Sequence, residues 1–247
     1  MKGRSILILI CIFSINNSCA QIKIPQVIKD VATTAQTGNP SQGEIGIALK
    51  EALTIGISAG TERLSAENGF LKNAAVKLLF PPEAQKVEKA LRGIGMNKAC
   101  DDFILSLNRA AELAVKEAKP VFVNALKEMS IQDASNILLS DQKNAATTYF
   151  EKTTSQQLRN KFKPIIESSL AKTEATRHWT DLSKRYNQIP FVNKVNTDLS
   201  DYATQKASEG LFHEIAAEEL KIRQNPALRS SQLLKKVFSY ADSKNPD

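Results

Sequence analysis

Apolar residues recur along most of this chain at helical spacing. Ile45, Leu49, Leu53 and Ile57 come every four residues, which draws a stripe down one face of a helix. Ser41-Gln-Gly-Glu44, just ahead of it, forms a capping box, in which the Ser hydroxyl takes a backbone N–H and the Glu reaches back. Asn68-Gly69 and Asn73 predict a loop. Pro81 and Pro82 predict the start of a helix carrying Val87, Ala90 and Leu91 and stopping near Gly93 and Gly95, because a first-turn proline loses no hydrogen bond.

Residues 98–118 give the clearest pattern. Cys100, Phe103, Ile104, Leu107, Ala111, Ala114 and Ala118 share one face, while Leu105 and Leu113 fall opposite. A helix apolar on two sides is sandwiched, so it is placed at the centre of the bundle. Arg109 lies between Leu105 and Leu113; under a covered second face it requires a partner, since an unpaired buried charge is very costly. Glu112 is in local reach, and Asn108 borders the first face.

Further helices are predicted from Pro120 (Phe122, Leu126, Met129), and after a second capping box, Ser130-Ile-Gln-Asp133, through Ile137 and Leu138. Ser140-Asp141 is expected to cap a helix through Phe150, with others over 155–172 and 174–188 and a kink or restart at Pro164. Ile189-Pro190 breaks the chain. A long helix from Thr197 to Arg223 places Leu199, Tyr202, Ala203, Gly210, Ala217 and Leu220 on one side, and a last short one starts at Asn225-Pro226. No alternating Val/Ile/Thr-rich run survives outside the leader, so strands are not expected. The fold class is all-α, a single compact multi-helix bundle.

The first twenty residues break this pattern. Lys2 and Arg4 precede ten apolar residues, Ile6 to Ile15, too few for a membrane span of about 20 and suited to a signal peptide over 1–20. Ser18 and Ala20 suit cleavage before Gln21. Ser18-Cys19 alternatively resembles the end of a lipobox, with Asn16 where Leu is usual, so Cys19 is the candidate lipidation site. The organisation expected is a signal peptide, a short helix and linker over 21–43, an all-helical domain over 44–240 and a disordered tail over 241–247. The protein is expected to be exported, in a periplasm, either free or tethered to the membrane through a lipidated N-terminus.

Composition narrows the chemistry. The chain has 247 residues, 33 basic and 26 acidic, for a formal charge of +7; losing Lys2 and Arg4 with the leader leaves 31 against 26. No basic block with interleaved aromatics occurs, so nucleic acid is not the expected partner. Of three cysteines only Cys100 belongs to the folded body, so no internal disulfide forms.

Short motifs fail on context. Gly56-Ile-Ser58-Ala-Gly60 matches a nucleophile elbow, which needs a strand before the Ser and a His base; here both flanks are helical, and the chain has only His178 and His213. His213-Glu214 begins a zinc motif whose second His is replaced by Ala217. Gly93-Ile-Gly95 follows a helix and lacks a third glycine, so it reads as a helix stop. Asp101-Asp102 and Glu218-Glu219 are adjacent, about 100° apart around a helix, and do not converge. No metal or cofactor is implied.

Leu49-Lys-Glu-Ala-Leu53, Ser106-Leu-Asn-Arg-Ala-Ala-Glu112 and Ala118-Lys-Pro-Val-Phe122 carry a likeness that continues in Ala145-Ala-Thr-Thr-Tyr-Phe150, Glu218-Glu-Leu-Lys-Ile-Arg223-Gln-Asn-Pro226 and Leu233-Leu-Lys-Lys-Val-Phe238. From about Ile45 to Phe238 the chain resembles DUF4197, a bacterial envelope family of unknown function. The resemblance implies an all-helical exported protein and supplies no reaction, cofactor or catalytic residue. Its informative polar positions here are Asn108, Arg109, Glu112, Asp133, Glu218, Glu219 and Arg223. They form either a buried ion-pair network that fixes helix register or a polar pocket; helical spacing lets Arg and Glu satisfy one another and favours the network. Three functions follow in order: a non-enzymatic envelope protein, structural or ligand-binding; a carrier or binder of an amphipathic ligand, lipid or peptide; and a hydrolase using Ser58 or paired carboxylates.

Overall fold

Eight helices make up the regular structure among the described residues of a computed structural model, which describes residues 38–173, 179–180, 183–184, 187–188, 194 and 198–244. They are α1 (Gln42–Ser65), α2 (Gln85–Gly93), α3 (Asn97–Val115), α4 (Ala118–Glu128), α5 (Ile131–Leu138), α6 (Ala145–Leu170), α7 (Leu199–Gln224) and α8 (Gln232–Lys244). Single 3₁₀ turns, Pro82–Ala84 and Pro226–Leu228, precede α2 and α8. The leader with Cys11 and Cys19, the linker to residue 37, most of 174–197 with His178, and the Ile189-Pro190 break lie outside the described residues. From Gly38 on, the helices close into one compact all-α unit.

Both capping boxes form. Ser41 Oγ accepts the Glu44 N–H at 3.2 Å while Glu44 accepts the Ser41 N–H at 2.7 Å. Ser130 and Asp133 repeat the exchange at the start of α5. Each cap satisfies N–H groups that a helix start leaves without intrahelical partners. Ile45, Leu49, Leu53 and Ile57 are all buried as the stripe requires.

The bundle is assembled around α3, α6 and α7, which pack on one another, with α1 lying across α3, α5, α7 and α8. Phe122 of α4, Phe150 of α6 and Phe212 of α7 meet edge to face, with centroids 5.5 Å and 6.1 Å apart. Such pairs add stabilisation beyond their buried area.

The centre differs from expectation in one respect. Cys100, Phe103, Leu107, Ala111 and Ala114 are buried in α3, but Leu105 and Leu113 remain 37% and 46% exposed. The covered surface of α3 is widened instead by Ser106, Asn108, Glu112 and Val115. Helix α3 also ends at Val115, so Pro120 sits within the first turn of α4 rather than opening it.

Three boundaries move. Helix α6 is continuous from Ala145 to Leu170 through Pro164, so neither the stop after Phe150 nor a restart at Pro164 occurs. Its start is set by a side chain from α7, not by Ser140-Asp141. On α7, Leu199, Ala203 and Gly210 are buried but Tyr202, Ala217 and Leu220 only half so; the innermost line runs through Ala207, Leu211 and Ile215. Helix α8 continues to Lys244 into the stretch expected as a tail, because Ala241 is buried and Asp242 pairs with Arg229.

Gly56 and Gly60 bring α1 close to α7. A methyl group at Gly56 would lie 3.4 Å from Glu218 Cβ, and one at Gly60 3.7 Å from the Glu214 backbone. The glycines of the apparent elbow are thus a helix-crossing contact inside α1.

Candidate functional site

The polar residues singled out in the sequence occupy separate stations. On α3, Asn108 is fully buried and pairs with Leu78 in the manner of a strand neighbour: its Oδ1 accepts the Leu78 N–H at 2.9 Å and its Nδ2 donates to the Leu78 carbonyl at 2.8 Å. One turn on, Glu112 accepts the N–H groups of Phe70 and Leu71 and an Arg109 Nη1 donor at 2.6 Å. Arg109 is half-buried and also donates to Glu67 and Asn68. These three residues hold residues 66–81, whose Phe70 and Val76 reach Gly210 on α7. Asn68 sits at φ +68°, a left-handed conformation Asn tolerates. A buried backbone without helix or strand must find partners elsewhere, and α3 supplies them.

A second station lies over the α1–α7 crossing. Arg63 pairs with both Glu214 and Glu218, Lys221 donates to Glu218 at 2.8 Å, and Asn73 Nδ2 donates to Glu214 at 2.8 Å. Burial pushes the Glu218 carboxyl up, but the hydrogen bonds and charges of Lys221 and Arg63 outweigh it and hold it below the usual carboxylate range.

The third station joins helix ends. Glu219 accepts the N–H groups of Ala146 and Thr147 at the start of α6, at 3.0 Å and 2.9 Å. It also binds Arg223, one turn along α7, at 3.0 Å. Arg223 in turn donates to the carbonyls of Ile137 and Leu138 at the end of α5. An acid at a helix N-terminus and a cation at a C-terminus each complement the local dipole. Asp133 is separate, engaged in its own cap.

Sequence reading missed Arg63, Glu214 and Arg229. The Gly56/Gly60 pair signals the close approach beneath Arg63, but Arg229 follows an irregular turn and carries no periodic signal. It is 2% exposed, donates to the carbonyls of Ile222 and Arg223, pairs with Asp242 at 2.7 Å and lies 5.3 Å from the Phe238 ring centroid.

Next to these helix ends opens a groove of about 470 Å³. The α5–α6 turn, with Ser140 to Lys143, forms one wall; the end of α7 and the inner side of α8 form the other. Arg223, Arg229 and Asp242 line it beside Leu138, Leu220 and Phe238. A narrow apolar crevice among α1, α7 and α8 has only about 20 Å³.

The residues of conventional chemistry do not converge. Ser58 is in the middle of α1, Cys100 is buried with burial raising its thiol, and His213 is exposed. Among the described residues no three His, Cys, Asp or Glu side chains are grouped to hold a metal ion, and no helix is long and apolar enough to cross a membrane.

The fold and these helix-end clamps define an all-α domain with a lateral groove. Over residues 39–239 the sequence matches the family described as "Protein of unknown function (DUF4197)", and the chain belongs to that family. No curated protein and no solved structure matches it.

Proposed function

We propose that this is a non-enzymatic ligand-binding protein of the cell envelope, with the groove between the α5–α6 turn and the α7–α8 corner as its binding site. One observation carries the reading. The buried charges Glu112, Glu214, Glu218, Glu219 and Arg229 and the partly buried Arg223 are engaged with opposite charges, helix ends or loop N–H groups, so none stands as an acid–base pair over open space. The open space lies in the groove, whose size is that of small-molecule sites. The leader over 1–20, with cleavage before Gln21 or lipidation at Cys19, supports a periplasmic location, free or membrane-tethered.

A carrier of whole acyl chains has less support. The apolar crevice of about 20 Å³ has room for roughly one water molecule. A hydrolase has less still, with Ser58 inside a helix. The test is native mass spectrometry of full-length protein purified from its own envelope fraction. A bound mass that Gln142→Trp, an exposed change on the groove wall, removes is expected; a clean apo mass in both proteins overturns the reading.

A further inference from the structure

The loop over residues 66–81 carries a chemically reactive pair that the groove does not use. Asn68-Gly69 is the one Asn-Gly step in the chain. In such a step the glycine backbone nitrogen can close a five-membered ring on the asparagine carboxamide carbon, and no Cβ on the glycine obstructs the approach. Both residues are half-buried, at the edge of solvent.

The closed loop restrains both reacting groups. The Gly69 N–H, which must lose its proton, donates to the Ala66 carbonyl at 2.9 Å. Asn68 Oδ1 accepts from Arg109 Nη2 at 3.1 Å, which turns the carboxamide toward α3. Gly69 is also pressed on the end of α1, where a Cβ would collide with the Arg63 and Leu64 carbonyls. Ring closure breaks both hydrogen bonds and lifts Gly69 from α1, so the loop must open locally first. Its anchors set the cost of opening: Glu112 accepts from the Phe70 and Leu71 N–H groups, and Asn73 donates to Glu214.

We propose that Asn68 is a self-modification site, gated by opening of this loop, whose isoaspartate product keeps the loop open. In the open loop, hydroxide takes the Gly69 amide proton and the nitrogen attacks Asn68 Cγ. The new N–Cγ bond closes a succinimide; the Cγ–Nδ2 bond breaks, and ammonia leaves with a proton from water. A water molecule then opens the ring at either carbonyl, leaving Asp or isoaspartate at position 68. The net change is one carboxamide and one water to one carboxylic acid and one ammonia. Isoaspartate carries the main chain through Cβ, lengthening it by a carbon where it is pressed on α1. It also takes out of the main chain the Asn68 carbonyl that accepts the Lys72 N–H at 3.0 Å. The loop then has no room to close again.

The test incubates the full chain at mildly alkaline pH and follows the tryptic peptide 64–72 by mass spectrometry with electron-transfer fragmentation, which separates Asp from isoaspartate. The native protein is expected to react at least about tenfold more slowly than the urea-unfolded chain, with Glu112→Ala and Asn73→Ala in between, because each variant makes opening easier without removing Asn68 or its neighbour. Lys152→Ala, an exposed change on α6, keeps the native rate. Asn73→Ala decides the matter if Glu112→Ala does not fold. Hydrogen exchange at Phe70 and Leu71 is expected to be faster in the isoaspartate fraction than in unmodified protein. A native rate equal to the unfolded one, or an Asn73→Ala rate equal to that of Lys152→Ala, overturns the proposal. So does unchanged exchange in the isoaspartate fraction, or an Asn68 that does not react in the unfolded chain.

Discussion

Glu219 on α7 begins α6: its Oε2 accepts both the backbone N–H and the hydroxyl of Thr147, each at 2.9 Å. Helix caps usually come from the residue just ahead of the helix. Here Asn144 occupies that position without a side-chain cap bond, and a carboxylate 72 residues away in sequence takes its place. The same Glu219 holds Arg223 against the last carbonyls of α5. One ion pair therefore fixes where α5 stops and α6 starts, and the groove opens beside that joint.

Glu219→Ala leaves two α6 N–H groups without their acceptor and Arg223 without its carboxylate partner. The expected loss is about 3–5 kcal/mol, the range for breaking a buried pair. Arg223→Ala is expected to cost about 3 kcal/mol on the same ground. In a double-mutant cycle read by urea unfolding, the coupling should exceed ~1 kcal/mol. Additive losses would mean the two residues stabilise the joint independently.

This joint shows what sequence pattern conveys and what it cannot. Stripes such as Ile45-Leu49-Leu53-Ile57 report burial along a helix from its own spacing, and the two capping boxes are local, so the helical class and the helix order are legible, although the continuity of α6 is not. Glu219 and Arg223 could be marked as an i, i+4 pair, but nothing local says that the pair serves the ends of two other helices. For that reason the local pattern places the start of α6 at Ser140-Asp141, whereas the helix begins at Ala145. Leu105 and Leu113 misled in the opposite way: periodicity gives the direction of a side chain, not whether another element covers it. Arg229, the most deeply buried charge, follows a 3₁₀ turn where no period applies.

Gly60 and Gly210 should respond oppositely to alanine. A methyl at Gly60 meets the Glu214 backbone at 3.7 Å, an ordinary contact, so Gly60→Ala is expected to stabilise α1 by about 0.5–1 kcal/mol through helix propensity. At Gly210 the methyl would lie 2.8 Å from Phe70 Cε1 and 3.1 Å from Val76 Cβ. Displacing that packed loop costs about 1–3 kcal/mol, which outweighs the propensity gain. Thermal melting of the two variants decides it, and a stabilised Gly210→Ala would show the loop to be loosely held.

Arg109 is intermediate between a surface and a buried pair. Its guanidinium is half-exposed, whereas its partner Glu112 is buried against the Phe70 and Leu71 N–H groups. Arg109→Ala should cost about 2 kcal/mol, between the small value of exposed pairs and the larger one of buried pairs. Glu112→Ala should cost more, because two loop N–H groups lose their acceptor. Hydrogen exchange at Phe70 and Leu71 should quicken in Glu112→Ala and little in Arg109→Ala; equal protection in all three proteins would show that α3 does not anchor the loop.

Tyr202 sets an alkaline limit on the same loop. Its hydroxyl donates to the Leu79 carbonyl at 3.1 Å. Burial, with the negative charges of Glu83 and Glu209, pushes its pKa up to about 12. The neutral phenol is therefore the form the fold favours. Below pH 10 both folded and unfolded chains keep the proton, and the contribution is fully present. Between pH 10 and 12 the unfolded chain gives it up while the folded chain does not, so stability falls as pH rises. Tyrosinate absorbance should show a late step near pH 12 that Tyr202→Phe removes, and the same variant should flatten the decline in stability. If Tyr202→Phe leaves the absorbance titration unchanged, the phenol is not held at Leu79, and the loop's attachment to α7 must rest on Phe70, Val76 and the Asn73–Glu214 hydrogen bond.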